Sequence, residues 1–361
     1  MKYLVAPLNW GLGHASRCIP LIQRFLDEGH EVVLGGDGDS LTLLRKHFPK
    51  LRYVYLAPLN LRYSRGSRQV FAMLRALPRL IAWSVKDHAL LRAVLREEPF
   101  DRIISDNRFG LYLTAKNEVN RALAAKKRSN SPKDGLTSNS ETVYMTHQLH
   151  IMLPKGWRWL EPLAERLHAR IYRRFDEVWV PDYEDPEKSL AGEMSHLKPS
   201  NLQTLKPSIL KYIGPLSRFS LTAKRSNSVT VCQCNGLSAE GGLYDTVAIL
   251  SGLEPHRTLL EKDIVARYAG KKDQVLIVQG LPSRPKTSIQ RGNIRIVPYM
   301  NDAELVPALL GAKQIIARSG YSTLMDLDAL GLLDKAELHP TPGQPEQEFL
   351  AQKFAYIKKK Q

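Results

Sequence analysis

Two glycines and a histidine follow the first apolar segment of the chain. Residues 3–8 are apolar, and Gly11-Leu12-Gly13-His14 comes shortly after them. Glycines permit a tight turn, and the amino end of the helix predicted to follow offers unpaired N–H groups to an anion. Ser16 stands where a dinucleotide-binding fingerprint has its third glycine. We interpret this segment as a substrate or catalytic loop. A purely structural turn and a nicotinamide or flavin site are the alternatives.

His14, at the exit of this turn, carries a side chain suited to proton transfer near neutral pH. It is the first candidate for a general base, and Asp106, at the end of another apolar segment, is the second. The alternative for His14 is a histidine that only caps the helix.

A second glycine-containing loop follows the apolar run 314–317. It reads Arg318-Ser319-Gly320-Tyr321-Ser322-Thr323 and precedes a helical pattern of leucines. The glycine and the small hydroxyl residues leave backbone N–H groups open to a diphosphate, and Asp326, one turn into the helix, is placed to reach sugar hydroxyls.

Two further polar segments follow apolar runs. Gly252 and Arg257 lie in residues 251–258, which are interpreted as a phosphate-binding loop or as a plain turn with a solvated arginine. Residues 339–348 are polar and rich in proline, and they follow the last apolar run. Ligands of open α/β sheets bind at such carboxyl ends of strands.

Short apolar runs alternate with helical patterns twice along the chain, which predicts an α/β protein with parallel sheets. We predict two Rossmann-like domains facing across a cleft. The first spans 1–215 with a polar insertion at about 116–140, the second spans 245–361, and 216–244 is a linker or an insertion.

Three segments together resemble the GT-B glycosyltransferases. They are Gly11-Leu12-Gly13-His14, the segment from Arg318 to Asp326, and Pro342-Gly343-Gln344-Pro345-Glu346-Gln347. The sequence is most similar to the transferases that add N-acetylglucosamine to the lipid-linked muramoyl pentapeptide. It departs from them at Asp326, where glutamate is commoner, and it lacks their asparagine shortly after Gln347.

The resemblance implies a UDP-sugar held mostly by the second domain and a carbohydrate, glycolipid or lipid-linked acceptor held mostly by the first. Transfer would invert the anomeric carbon. The implied donor-site roles are ribose binding by Asp326, diphosphate binding near Ser322 and Thr323, sugar binding by Gln347 and Glu346, and uracil contact at Met300. On the acceptor side the implied residues are Gly11, Gly13, Asn107 and His147.

Neither metal nor cofactor is expected. The triplets Asp37-Gly38-Asp39 and Asp326-Leu327-Asp328 resemble metal-binding motifs, but Asp39 is interpreted as a helix cap, and Asp326 and Asp328 point to different faces of one helix. Helix amino ends with Arg318 or Arg257 would meet the phosphate charge instead. Three cysteines cannot build a disulfide framework, and no second cysteine pair completes a zinc site.

The formal net charge of +16 favours an anionic partner. Residues 62–96 interleave arginines with apolar side chains, which is typical either of peripheral contact with an anionic membrane or of an ordinary solvated helix face. We expect a cytoplasmic protein, with the inner face of the membrane as the surface in question. The charge alone would also suit nucleic acid, but no reading motif is present and no nucleic-acid partner is expected.

The sequence thus predicts a hexosyltransferase-type glycosyltransferase that moves a sugar from a UDP-sugar to an acceptor hydroxyl. Two alternatives stay open. One is a nucleotide-sugar epimerase or hydrolase on the same fold, and the other, from a different class, is a basic nucleic-acid-binding protein.

Overall fold

A computed structural model describes residues 1–59, 69–114, 140–197, 207–220, 243–252 and 254–360. The predicted insertion 116–140, apart from Ser140, lies outside the described residues. So do most of the predicted linker and the first arginines of the 62–96 segment.

Thirteen strands and nine α-helices lie within the described residues. The strands are β1 Lys2–Pro7, β2 Glu31–Gly36, β3 Tyr53–Tyr55, β4 Arg102–Asp106, β5 Glu141–Met145, β6 Glu177–Val180, β7 Leu210–Tyr212, β8 Thr246–Ile249, β9 Val275–Val278, β10 Ile289–Arg291, β11 Ile294–Val297, β12 Gln314–Arg318 and β13 Ala336–His339. The helices are α1 Gly13–Asp27, α2 Gly38–His47, α3 Gln69–Glu97, α4 Phe109–Thr114, α5 Glu161–Tyr172, α6 His256–Tyr268, α7 Asp302–Gly311, α8 Tyr321–Ala329 and α9 Pro345–Lys360.

The first sheet is parallel throughout, in the order β3-β2-β1-β4-β5-β6-β7. Strand β1 is central and almost entirely buried, as expected of a parallel strand covered on both faces. The second sheet has the order β10-β11-β9-β8-β12-β13, and only the edge strand β10 pairs antiparallel. Two parallel-sheet α/β arrays are therefore present, and the predicted fold class is confirmed.

Contacts divide the chain into two compact units. The first comprises 1–9, 21–60 and 73–215, and the second comprises 10–20, 61–72 and 216–361. The sequence division assigned the first glycine loop to the first domain, whereas residues 10–20 make their contacts with the second unit. The described part of the second unit therefore holds both glycine loops.

Three local features differ from the sequence prediction. Strands β7 and β10 were not predicted, because each has only three residues and the side chains of β10 are exposed. Helix α2 begins at Gly38 with Asp37 at the capping position, so Asp39 lies in the first turn and the prediction that it caps the helix is wrong. The sequence predicts Pro255 at the first position of a helix, whereas Pro255 precedes α6.

A buried arginine binds residues at or just after the carboxyl ends of strands β1, β2 and β3. Arg108 is fully buried and donates to the Asp87 carboxylate, with Nη2 2.8 Å from Oδ1. It also donates to Asp37 Oδ1 at 3.0 Å and to the carbonyl oxygens of Pro7 and Ala57. Burial raises the pKa of Asp87, while the bonds from Arg108 act in the opposite direction.

We expect Arg108→Met to lower the free energy of unfolding by about 3–5 kcal/mol, because it leaves the carboxylates of Asp87 and Asp37 buried without their cation. Urea unfolding measures this loss. Arg79→Met, at an exposed position of α3, is the matched control and should change stability little. Equal stability of the two variants would contradict the assignment of Arg108 as the organiser of this edge.

Candidate anion-binding site at the edge of the second sheet

The first glycine loop packs directly against the amino end of α8. Ser322 Oγ donates to the Gly13 carbonyl oxygen at 2.9 Å. A Cβ atom added to Gly13 would lie 2.9 Å from that same Oγ and 3.3 Å from Ser322 Cβ, so a larger residue would require the Ser322 side chain to move from its bond to Gly13. Glycine at position 13 is therefore favoured by close approach rather than by an unusual backbone angle.

The first turns of helices α1 and α8 are in contact. Gly13 touches Ser322 at the first turn of each helix, and one turn further Ser16 Oγ lies 3.5 Å from Asp326 Oδ2. Each helix amino end carries a partial positive charge of roughly half a unit. Two such ends packed together repel each other, and an anion bound beside both would offset the repulsion.

His14 and Arg17 lie on one turn of α1 at this position. Arg17 Nη2 is 2.9 Å from His14 Nδ1, and the Arg17 side chain is 1% exposed. His14 itself is half-buried. The first turn of α1 thus adds a buried cation to the two helix amino ends, and the imidazole is fixed in orientation by it.

Asp326, predicted to bind ribose, is 7% exposed and engaged by side chains of the second unit. Ser217 Oγ donates to Oδ1 at 2.7 Å, and Arg218 Nε lies 3.6 Å from Oδ2. Burial raises the pKa of Asp326 to about 6, and the nearby Arg218 and Ser217 limit the rise. Ribose binding by Asp326 stays a prediction, and in this arrangement both carboxylate oxygens already have partners within the chain.

Arg318 organises the loops around the second glycine turn. Its guanidinium donates to the carbonyl oxygens of His256 at 2.5 Å and Pro340 at 3.1 Å. Burial lowers the pKa of Arg318, which is 6% exposed. The phosphate contact of Arg318 stays a prediction. The two bonds join Arg318, the last residue of β12, to the segments that follow β8 and β13.

The loop after β13 folds back onto the glycine turn. Ser319 Oγ donates to the Gln347 carbonyl oxygen at 2.7 Å, and Gln347 Oε1 accepts from the Thr341 backbone N–H at 2.9 Å. The amino end of α9 is thereby fixed next to the glycine turn that precedes α8. Gly320 occupies the position before α8, and its carbonyl oxygen accepts from the N–H of Thr323.

The remaining predicted donor residues differ in their surroundings. A Cβ atom on Gly11 would lie 3.8 Å from Gly252 Cα, so the loop after β8 also approaches the first glycine loop. Arg257 pairs with Glu254 at 2.5 Å. Met300 packs against the core of the second unit, and Glu346 is half-buried in the first turn of α9. Their predicted roles are untested.

The first unit contains the predicted base Asp106 and two predicted acceptor-side residues, which lie at or just after the carboxyl ends of strands β4 and β5. Asp106 ends β4 and is fully buried, and its carbonyl oxygen accepts from the Leu8 N–H at 2.9 Å. Asn107 has a φ of +55° and accepts from the Tyr144 hydroxyl at 2.6 Å. His147, after β5, is buried. Their roles as base and acceptor-side residues are likewise untested.

Three residues at this site were missed by the sequence analysis, namely Arg17, Ser217 and Arg218. The spacing of Arg17 three positions after His14 on a predicted helix was a usable signal. Ser217 lies 109 positions from its partner Asp326, and no local pattern indicates that pairing.

Among the described residues, no group of three or more His, Cys, Asp or Glu is arranged to hold a metal ion. The predicted metal independence is not tested by that finding.

Comparisons with known proteins find glycosyltransferases that are similar to this chain in sequence or in fold. A protein of Methanosarcina acetivorans named as an uncharacterized glycosyltransferase is 23% identical over 356 residues, which are 96% of this chain and 82% of that protein. A second match to a protein of that organism with the same name is 50% identical over 46 residues. No protein-family model matches the chain.

Solved structures with the same fold include three glycosyltransferases. Spinosyn rhamnosyltransferase SpnG has a TM-score of 0.52 at 13% identity, with 99% of this chain and 84% of that chain covered. Arabidopsis thaliana UGT89C1 complexed with UDP-L-rhamnose has a TM-score of 0.52 at 12% identity, with 99% and 82% covered. Spinosyn forosaminyltransferase SpnP has a TM-score of 0.51 at 14% identity, with 100% and 91% covered. The chain shares their two-array, GT-B type of fold.

The buried carboxyl of Asp326 should make stability depend on pH. Its folded pKa of about 6 lies above the ordinary value of an unfolded aspartate, about 3.9. The folded state therefore holds the extra proton between these values, and stability falls as pH rises through that interval. We expect the unfolding free energy of the wild type, relative to Asp326→Asn, to decrease by about 2–3 kcal/mol between pH 4 and pH 7.

Chemical denaturation at several pH values measures this difference. The exposed Asp334→Asn is the control and should give a difference that is nearly constant with pH. If the difference in unfolding free energy between the wild type and Asp326→Asn does not change with pH, the carboxyl of Asp326 stays ionised in the folded protein over this range.

Proposed function

We propose that this protein is a glycosyltransferase that uses a nucleotide-sugar, with UDP as the nucleotide. The observation that carries the proposal is the contact between the first turns of α1 and α8, because two helix amino ends brought together favour a bound diphosphate. The similarity to a named glycosyltransferase along nearly the whole chain and the shared fold support it.

In the proposed reaction the oxygen of an acceptor hydroxyl attacks the anomeric carbon, and the bond from that carbon to the diphosphate oxygen breaks. The electron pair goes to the diphosphate, where helix amino ends and Arg17 stabilise the added negative charge. A single displacement of this kind inverts the anomeric carbon. The acceptor proton goes to a base, for which His14 and Asp106 are the sequence candidates.

The donor sugar and the acceptor are finer parts of the proposal. The sequence resemblance favours N-acetylglucosamine as the sugar and a carbohydrate, glycolipid or lipid-linked molecule as the acceptor. Gln347 and Glu346 are the proposed sugar contacts, and Met300 the uracil contact. Structures of similar fold include a rhamnosyltransferase and a forosaminyltransferase.

We expect UDP and a UDP-sugar to raise the melting temperature more than GDP or dTDP. A ligand at 100 times its Kd adds about 2.7 kcal/mol of stability. Gly13→Ala should weaken UDP binding about tenfold, or ~1.4 kcal/mol, because its Cβ would displace the Ser322 side chain at the proposed position of the diphosphate. Gly156→Ala, where a Cβ meets open space, is the matched control.

Thermal shift and calorimetric titration give both results. Release of UDP that requires an added acceptor identifies transfer, whereas release without acceptor identifies a hydrolase. Unchanged UDP affinity in Gly13→Ala would contradict the proposed position of the diphosphate. An absence of response to all three nucleotides would contradict a nucleotide-sugar donor.

We also propose that the first unit contacts an anionic membrane surface. Within the 62–96 segment, Leu77, Ile81 and Val85 lie on one face of α3 and are 50–58% exposed. Four arginines of that segment lie outside the residues whose side chains are described, namely Arg62, Arg65, Arg68 and Arg75. The described part of α3 also carries the exposed Arg79 and Lys86, and exposed apolar and basic side chains on one helix suit lipid headgroups and the acyl chains beneath them.

A second stripe of the same kind lies on and just before α5. Trp159, Leu163 and Leu167 follow one another at intervals of four residues and are 74%, 54% and 52% exposed. The exposed charged residues around them are basic, namely Arg158, Arg166, Arg170 and Arg173. The two glutamates of this helix, Glu161 and Glu165, lie against His150. This exposed face therefore presents apolar and positively charged groups together. No described helix is long and apolar enough to cross a membrane.

The double substitution Leu163→Gln and Leu167→Gln should reduce sedimentation with vesicles of phosphatidylcholine and phosphatidylglycerol by at least threefold at low salt. Each substitution removes at most about 1.5–3 kcal/mol, which is the free energy gained when a leucine side chain is fully buried. Leu259→Gln and Leu310→Gln, at exposed positions of the second unit, form the matched control.

High salt should release the wild type from these vesicles, because screening weakens contacts with anionic headgroups. Pure phosphatidylcholine vesicles should bind it poorly. Equal sedimentation of the two double variants, or equal binding to both vesicle types, would contradict the proposed membrane surface.

A further inference from the structure

The contact between Arg17 and His14 restricts which ring nitrogen of the histidine can carry a proton. A guanidinium group has only donors, so Arg17 Nη2 donates to His14 Nδ1 at 2.9 Å. A proton on Nδ1 would place two donors against each other. The neutral imidazole held by this contact therefore carries its proton on Nε2.

This tautomer bears directly on the chemistry available to His14. Nε2–H is a hydrogen-bond donor, and it cannot accept a second proton while Nδ1 is occupied by Arg17. A general base acting through Nε2 would need the opposite tautomer, with the proton on Nδ1. The sequence interpretation of His14 as the base therefore requires the Arg17 contact to break.

We propose that Arg17 is a positioning residue that holds His14 as an Nε2–H donor, and that this N–H binds an anionic oxygen of the nucleotide diphosphate. The inference rests on the proposed function. Two observations support it: Arg17 is 1% exposed, so little freedom is left to its guanidinium, and His14 lies between Gly13 and Ser16, the two residues that meet α8.

The electrostatics of the first turn of α1 favour this assignment. The helix amino ends, the Arg17 guanidinium and an N–H donor from His14 all attract negative charge. The surroundings therefore suit an anion ligand at His14.

Nitrogen NMR of histidine-labelled protein tests the tautomer without any substrate. The unprotonated and protonated ring nitrogens of a neutral imidazole differ widely in chemical shift, and the His14 signals are those lost from the ten histidines in His14→Gln. We expect the Nε2–H tautomer in the wild type and in Arg17→Lys, which keeps a donor. Arg17→Met should give a mixture. An Nδ1–H tautomer in the wild type would overturn the proposal.

UDP titration tests the binding role. Glutamine places an amide N–H close to the position of Nε2 but cannot act as a base at neutral pH. We therefore expect His14→Gln to keep UDP affinity within about threefold, and His14→Ala to lose roughly tenfold or more, as when a hydrogen bond to a charged group is removed. Equal UDP affinity of His14→Ala and the wild type would overturn the binding role.

The two hypotheses fail in different ways. If the wild type does not bind UDP, the proposed function fails while the NMR result still reports the tautomer. If the wild type binds UDP but His14→Gln binds as weakly as His14→Ala, the donor role of His14 fails and the nucleotide site stands. Melting temperatures of all variants identify losses caused by unfolding.

Discussion

The close approach of Gly13 to Ser322 joins the first turns of α1 and α8. The Ser322 hydroxyl donates to the Gly13 carbonyl oxygen at 2.9 Å, and a Cβ atom on residue 13 would meet that same hydroxyl. Both helix amino ends carry a partial positive charge, so their contact is electrostatically unfavourable without a counter-charge. One turn further into each helix, Ser16 Oγ lies 3.5 Å from Asp326 Oδ2.

Buried charges fix the loops around both sheets by the same means. Arg108 in the first unit and Arg318 in the second each donate to carbonyl oxygens of loops that follow different strands. Arginine suits this role because it stays charged and presents five donors in a planar fork. Arg108 also has a carboxylate partner in Asp87, whereas Arg318 donates to backbone carbonyl oxygens. The loops at these edges are therefore held by buried hydrogen bonds in addition to apolar packing.

The sequence predicted the sheets well because their strands are short continuous apolar runs, the pattern of buried parallel strands. It missed Leu210–Tyr212 and Ile289–Arg291, which are short and partly or wholly exposed. Gly13 and Ser322 were both recognised as functional loop residues, but their direct contact joins positions 309 residues apart and has no local signal. Ser217 was not recognised as the partner of Asp326 for the same reason, since the two are 109 residues apart. Arg17 was overlooked although its spacing from His14 lay within reach of a helical argument.

The interactions of Asp326 depend on the length of its side chain as well as on its position in α8. The resemblance to known transferases leads one to expect glutamate here, and aspartate is shorter by one methylene. The shorter side chain stays within reach of Ser217 and Arg218, and burial holds its pKa at about 6. A ribose hydroxyl would have to share or replace the Ser217 hydroxyl to bind the same oxygen. Occupation of the nucleotide site would then be coupled to the segment at 216–218, which begins immediately after Pro215, the last residue assigned to the first unit.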